Sequence, residues 1–141
     1  MADNKIEQYL IDLMFNYQQV DQNLWLVDDE EHSLQGAAII LAESLVIIRV
    51  EVMDAPKDNR LELYTKLLEL NTDVIYGGYA LENEKIVLIG TLEYDNMDYV
   101  DFRAMLDAFS LALTQHYPIL SKYRGKAPGV AGVPDKTGEG V

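Results

Sequence analysis

The sequence predicts an α+β domain with a single antiparallel sheet of about five strands and three helices, in the order α-β-β-β-α-β-β-α. Three observations carry this. Apolar residues recur at three- and four-residue steps in three separate stretches, as in helices with one buried stripe. Between those stretches lie short runs of alternating, β-branched residues, which read as strands. The runs are joined by turns too short for a parallel crossover, so neighbouring strands run antiparallel.

Each element has its own signal. A first helix is predicted over residues 4–20, where Ile6, Leu10, Leu13, Met14 and Tyr17 make one stripe and Asn4 with Glu7 fits a capping box. A short strand over residues 23–27 contains Trp25, and Asp28 to Glu31 with His32 makes a charged loop. Gly36 opens a second strand that runs to Ala42, and Glu43-Ser44 turns it into a third over residues 45–53. Asp54, Pro56 and Asp58 break that strand. Asn59, with Glu62 three residues on, is expected to cap a second helix whose buried stripe is Leu61, Tyr64, Leu67, Leu68 and Leu70. A fourth strand over residues 75–81 is interrupted by Gly77-Gly78, which points to a bend, a bulge or a close backbone approach. Residues 82–85 form a hairpin turn into a fifth strand over residues 86–94. Asp98 and Asp101 occupy the cap and first turn of a third helix, where carboxylates suit the helix dipole. Phe102, Met105, Leu106, Phe109, Leu113 and Tyr117 line that helix, which is expected to stop near Pro118. The domain is therefore set at residues 1–120. Residues 121–141, rich in Gly and Pro without periodicity, read as a flexible tail.

Composition narrows the function. The chain has 141 residues, 49% of them apolar and 25% charged, which is one ordinary globular domain. No apolar run is long enough to cross a membrane, and the start lacks the basic-then-apolar pattern of a signal peptide, so a cytoplasmic protein is expected. Cysteine is absent, which removes disulfides, thiolate metal sites and a cysteine nucleophile. The formal net charge of −13 repels phosphate backbones and anionic lipids, so neither nucleic acid nor membrane is an expected partner. A basic or amphipathic polypeptide is.

No residue set carries chemistry. His32 stands beside Asp28, Asp29, Glu30 and Glu31, but adjacent loop residues do not give the spaced ligands that a metal requires, and a solvated acidic loop is expected. Glu93, Asp95, Asp98 and Asp101 lack the glycine and terminal glutamate of a calcium loop. The serines sit in no nucleophile elbow, Gly77-Gly78 lacks the lysine of a phosphate loop, and His116 reads as a structural residue near a helix end. The expectation is a non-enzyme with no catalytic, cofactor-binding or metal residue.

The sheet points elsewhere. In the third strand Val46, Ile48, Val50 and Val52 share one face, while Leu45, Ile47, Arg49, Glu51 and Met53 share the other. In the fifth strand Val87 and Ile89 fall on the mixed face. A sheet covered on one side only is expected to be polar on the other, so Ile47, Val87 and Ile89 suggest a subunit interface or a groove for another chain.

Three segments together resemble one superfamily: Leu67-Leu68-Glu69-Leu70-Asn71 closing the second helix, Tyr76-Gly77-Gly78-Tyr79-Ala80-Leu81 in the fourth strand, and Ile86-Val87-Leu88-Ile89-Gly90 in the fifth. The acidic entry from Asp98 to Phe102 fits as well. The superfamily joins YbjN-type proteins with type III secretion chaperones of the Tir-chaperone (CesT) kind. The resemblance implies a dimerising α+β domain that holds an extended client segment on apolar patches around the sheet and first helix. A YbjN-like regulatory or structural domain that mainly self-associates is the alternative it leaves. The residues expected to meet a partner are Trp25, Leu26, Ile39, Leu41 and Ile47.

Overall fold

Alternation decides the architecture, and it acts one strand earlier than the helical pattern suggests. In the computed structural model, which describes residues 5–124, the first helix α1 spans only Lys5–Asp12. Met14 takes a left-handed backbone (φ 62°) that ends it. The next residues form strand β1, Tyr17–Asp21. Tyr17 fits a helical stripe and a strand face equally well, and pairing with Val27 settles it as strand. Five strands were expected and six are present. The others are β2 (Leu24–Asp29), β3 (Leu34–Ala42), β4 (Leu45–Asp54), β5 (Gly78–Glu82) and β6 (Lys85–Glu93). All pair antiparallel in one sheet of order β1-β2-β3-β4-β6-β5. Helix α2 (Arg60–Leu70) follows β4, and α3 (Tyr99–Leu120) follows β6. The cap expected of Asn4 lies outside the described residues, as do residues 125–141 of the tail expected over 121–141; its first residues, Ser121–Tyr123, form a 3-10 turn with Tyr123 buried and its hydroxyl donating to Glu62.

One face of the sheet carries the core. Trp25, Ile39, Ile48 and Leu88, from four adjacent strands, are fully buried on it. They pack with Ile6 and Leu10 of α1, Leu63 and Leu67 of α2, and Phe102, Met105 and Phe109 of α3. All three helices therefore cover the same side. Each large side chain buried this way contributes about 1.5–3 kcal/mol.

Two expectations about helix entry differ in outcome. α3 has the full capping box: Asp98 Oδ1 accepts from the Asp101 N–H at 2.8 Å, and the Asp98 N–H donates to Asp101 Oδ2 at 3.2 Å. α2 has none, because Asn59 is left-handed (φ 62°) and its side chain makes no cap hydrogen bond. Its entry is tied instead by Arg60, whose guanidinium donates to the Pro56 carbonyl at 2.6 Å and to Glu84 at 2.7 Å. The buried stripe of α2 is Leu63, Leu67 and Leu70, whereas Leu61 and Leu68 point to solvent.

Gly77 and Gly90 explain why β5 begins at Gly78 and not at Ile75. A Cβ on Gly77 would overlap the Ile89 carbonyl, and one on Gly90 would overlap the Tyr76 carbonyl. The two backbones cross at near contact, as the Gly-Gly pair led one to expect. α3 continues past Pro118 to Leu120. Pro118 and Thr114, whose carbonyl loses its donor, are both exposed, so water can satisfy the gap.

Candidate functional site

The opposite face of the sheet has no helix on it among the described residues. Strand register fixes what stands there. One row reads Leu26, Ala38, Arg49, Ile89 across β2, β3, β4 and β6, and the next reads Leu24, Ile40, Ile47, Thr91. None of these residues belongs to the buried core cluster. Leu26 is 41% exposed and Leu45, one row on, 44%. The result is a continuous apolar strip facing outward. Exposed apolar area of this kind, framed by polar groups, marks a contact surface.

The frame is acidic. Asp21 and Asp28 lie beside Leu24 and Leu26, and Glu51 and Glu93 lie at the two ends of the β4–β6 pair. Arg49 is the cation among them, and its charge is already used. Its Nε donates to Glu82 Oε1 at 2.6 Å, and Nη1 lies 3.6 Å from Glu51. Because Glu82 is on β5 and Arg49 on β4, this clamp spans the intervening β6, on which Val87 is only 1% exposed. Val87, expected on an interface, is thus already buried within the chain.

The five residues expected to meet a partner separate into two groups. Trp25 and Ile39 are 0% exposed and lie under the helices, and Leu41 is half-buried and packs against the core. These three face the wrong way, because residues one apart in a strand point to opposite sides. Leu26 and Ile47 stand on the open face. Leu24 and Ile40 join them, and parity carried through the strand register would have found both. A second outward apolar surface was also missed: Leu61 (82% exposed), Leu68 (70%) and Ile75 (79%) run along α2 and the segment after it. Their spacing reads equally well as a buried stripe, and only the packing of Leu63, Leu67 and Leu70 decides between the two.

The titratable clusters hold the fold together. Asp29 is buried, against the expectation of a solvated acidic loop. It accepts the Asn16 N–H at 2.7 Å and the His32 N–H at 3.0 Å, and the His32 ring lies 2.8 Å away. Burial alone would raise its carboxyl, but these donors outweigh it and hold the group below the usual carboxylate range. Asp29, Glu31 and His32 are close enough to share a cation. The backbone donors on Asp29 already account for its burial. His116 is buried, with Nδ1 2.7 Å from the Tyr79 hydroxyl and Nε2 3.8 Å from Asp73. Burial pushes the Tyr79 phenol up to about 12, so it stays protonated in this contact. Burial also pushes His116 below the ordinary imidazole value, with Asp73 opposing.

With this geometry in view, comparison with known proteins is decisive on kinship. The sequence profile of the CesT_Tir_1 family matches residues 2–126. The chain belongs to the CesT_Tir_1 family. Three solved structures share the architecture of this CesT_Tir_1 chain. YbjN of E. coli, a candidate transcription regulator, aligns with a TM-score of 0.61 at 16% identity, over 81% of this chain and 89% of its own. A chain of the heterodimeric ExoU–SpcU complex, from the type III secretion system of Pseudomonas aeruginosa, aligns at 0.67 and 15%, over 84% of this chain and 99% of that one. An uncharacterised protein of Methanothermobacter thermautotrophicus aligns at 0.60 and 13%, over 84% and 96%. At these identities the likeness establishes the fold. No curated protein matches in sequence. No helix among the described residues is long and apolar enough to cross a membrane.

Proposed function

We propose that this chain is a cytoplasmic, non-enzymatic protein-binding domain that holds a partner polypeptide on the open face of its sheet. The observation that carries the reading is the strip of Leu24, Leu26, Ile40, Ile47 and Ile89, outside the core and without a helix over it. The ExoU–SpcU relative is seen in a heterodimeric complex, which supports a polypeptide as the ligand class. The distribution of acids supports binding over acid–base chemistry. Among the described residues every Asp and Glu except Glu7 and Asp29 is exposed, so no pair is gathered in a site that would drive two pKa values apart. The test is affinity capture from the protein's own cells with the wild type and with Ile47→Asp. One polypeptide enriched in near-stoichiometric amount by the wild type and lost by the variant supports a chaperone or adaptor role. Equal recovery by both removes the open face from the binding site.

A second reading has its own observation. Leu61 and Leu68, two helical turns apart on α2, are exposed apolar side chains, as is Ile75 in the segment after it, which suits self-association. A regulatory or structural domain that mainly pairs with itself would use them. Leu61→Glu with Leu68→Glu then converts a dimer to a monomer in light scattering. Because both side chains are exposed, folding stability changes by no more than about 0.5 kcal/mol. An unchanged mass removes these side chains as the interface.

A further inference from the structure

The open face carries a charge pattern that its fold does not require. Asp21, Asp28, Glu51 and Glu93 surround the apolar strip, and their positions follow from the strand register. The guanidinium of Arg49, in the middle of the face, is held by Glu82 and Glu51. Lys85 at the far corner is held by Asp54 at 2.8 Å. Among the described residues, Arg49 and Lys85 on this face are therefore engaged within the chain, while Asp21 and Asp28 along the β1–β2 border have no cation paired with them. A partner that covered the strip with acidic flanks would meet like charge at short range. A partner with cationic flanks would exchange water for complementary charge at the rim while its apolar centre meets Leu24, Leu26, Ile40 and Ile47.

Resting on the reading that this face binds a polypeptide, we infer that its partner is an extended segment with an apolar centre and basic flanks. Apolar contact supplies the affinity. The rim selects the sign of the flanks and steers encounter, so the selection is screened by salt.

Three labelled synthetic peptides test this by fluorescence anisotropy. They share a central run of alternating Val and Thr and differ only in three flanking residues at each end: lysine, serine or glutamate. The expected result is that the lysine peptide binds at least tenfold more tightly than the serine peptide, and that the glutamate peptide binds least. At 0.5 M NaCl the lysine and serine peptides converge. Asp21→Asn with Asp28→Asn reduces the preference for the lysine peptide over the serine peptide severalfold. Ile47→Asp, with the native circular dichroism spectrum as control, abolishes binding of both. Equal affinity for the lysine and serine peptides at low salt overturns the basic-flank proposal and leaves the face as a binding surface. Lysine-peptide binding that survives Ile47→Asp shows attraction to the chain's overall charge and overturns the proposal too. Binding by none of the three overturns both the proposal and the reading beneath it.

Discussion

His116 places an imidazole where a charge is costly. It is 3% exposed, shares a hydrogen bond with the Tyr79 hydroxyl, and has its pKa lowered by burial. The sign of the consequence follows from linkage. The unfolded imidazole takes up a proton near 6.5, and the folded one only at lower pH. Stability is therefore full above about 6.5 and falls as pH drops below that value. Urea midpoints measured between pH 8 and pH 5 should fall across this window in the wild type and stay flatter in His116→Gln. An equal decline in both would place the titrating group elsewhere. From the sequence, His116 reads as a structural residue near a helix end, and that much holds. Its partner Tyr79 is thirty-seven positions away in the chain, and no local pattern announces such a pair. The same limit applies to Asp29, whose burial is set by Asn16 on the preceding turn.

At the scale of elements, legibility tracked how many forces agreed. The β3–β4 and β5–β6 hairpins and the α3 cap were readable because alternation, turn residues and carboxylate placement all pointed one way. The chain from Phe15 to Asp21 was not, because helical and strand periods both fit it and the choice depended on pairing with β2. The outward stripe of α2 failed for a related reason: six apolar residues in eleven leave two possible faces, and tertiary packing picks one. The Gly77–Gly90 crossing shows an element held by a missing atom. Gly90→Ala would push a methyl against the Tyr76 carbonyl and crowd Met105 and Phe109, both 3.2 Å away. Such overpacking costs about 1–3 kcal/mol, and chemical denaturation should show it. A loss below 0.5 kcal/mol would mean that the crossing relaxes freely.

The whole molecule carries a net charge of −13, and that charge acts on the compact state as well as on partners. Thermal midpoints should rise between 10 mM and 300 mM NaCl as self-repulsion is screened. A flat or falling midpoint would show that local ion pairs outweigh it. The global fold class was legible from element order alone. The open face was only half legible, because deciding which parity faces the helices requires knowing where the helices land. One side chain bears on how the sheet could be extended. The Asn71 carboxamide accepts the Tyr79 N–H at 2.6 Å and reaches back to the Tyr79 carbonyl at 3.5 Å, so it stands where the next strand beyond β5 would bond. At Tyr79 the outer border of β5 is occupied from within, so a strand arriving there would have to displace the Asn71 carboxamide before it could pair.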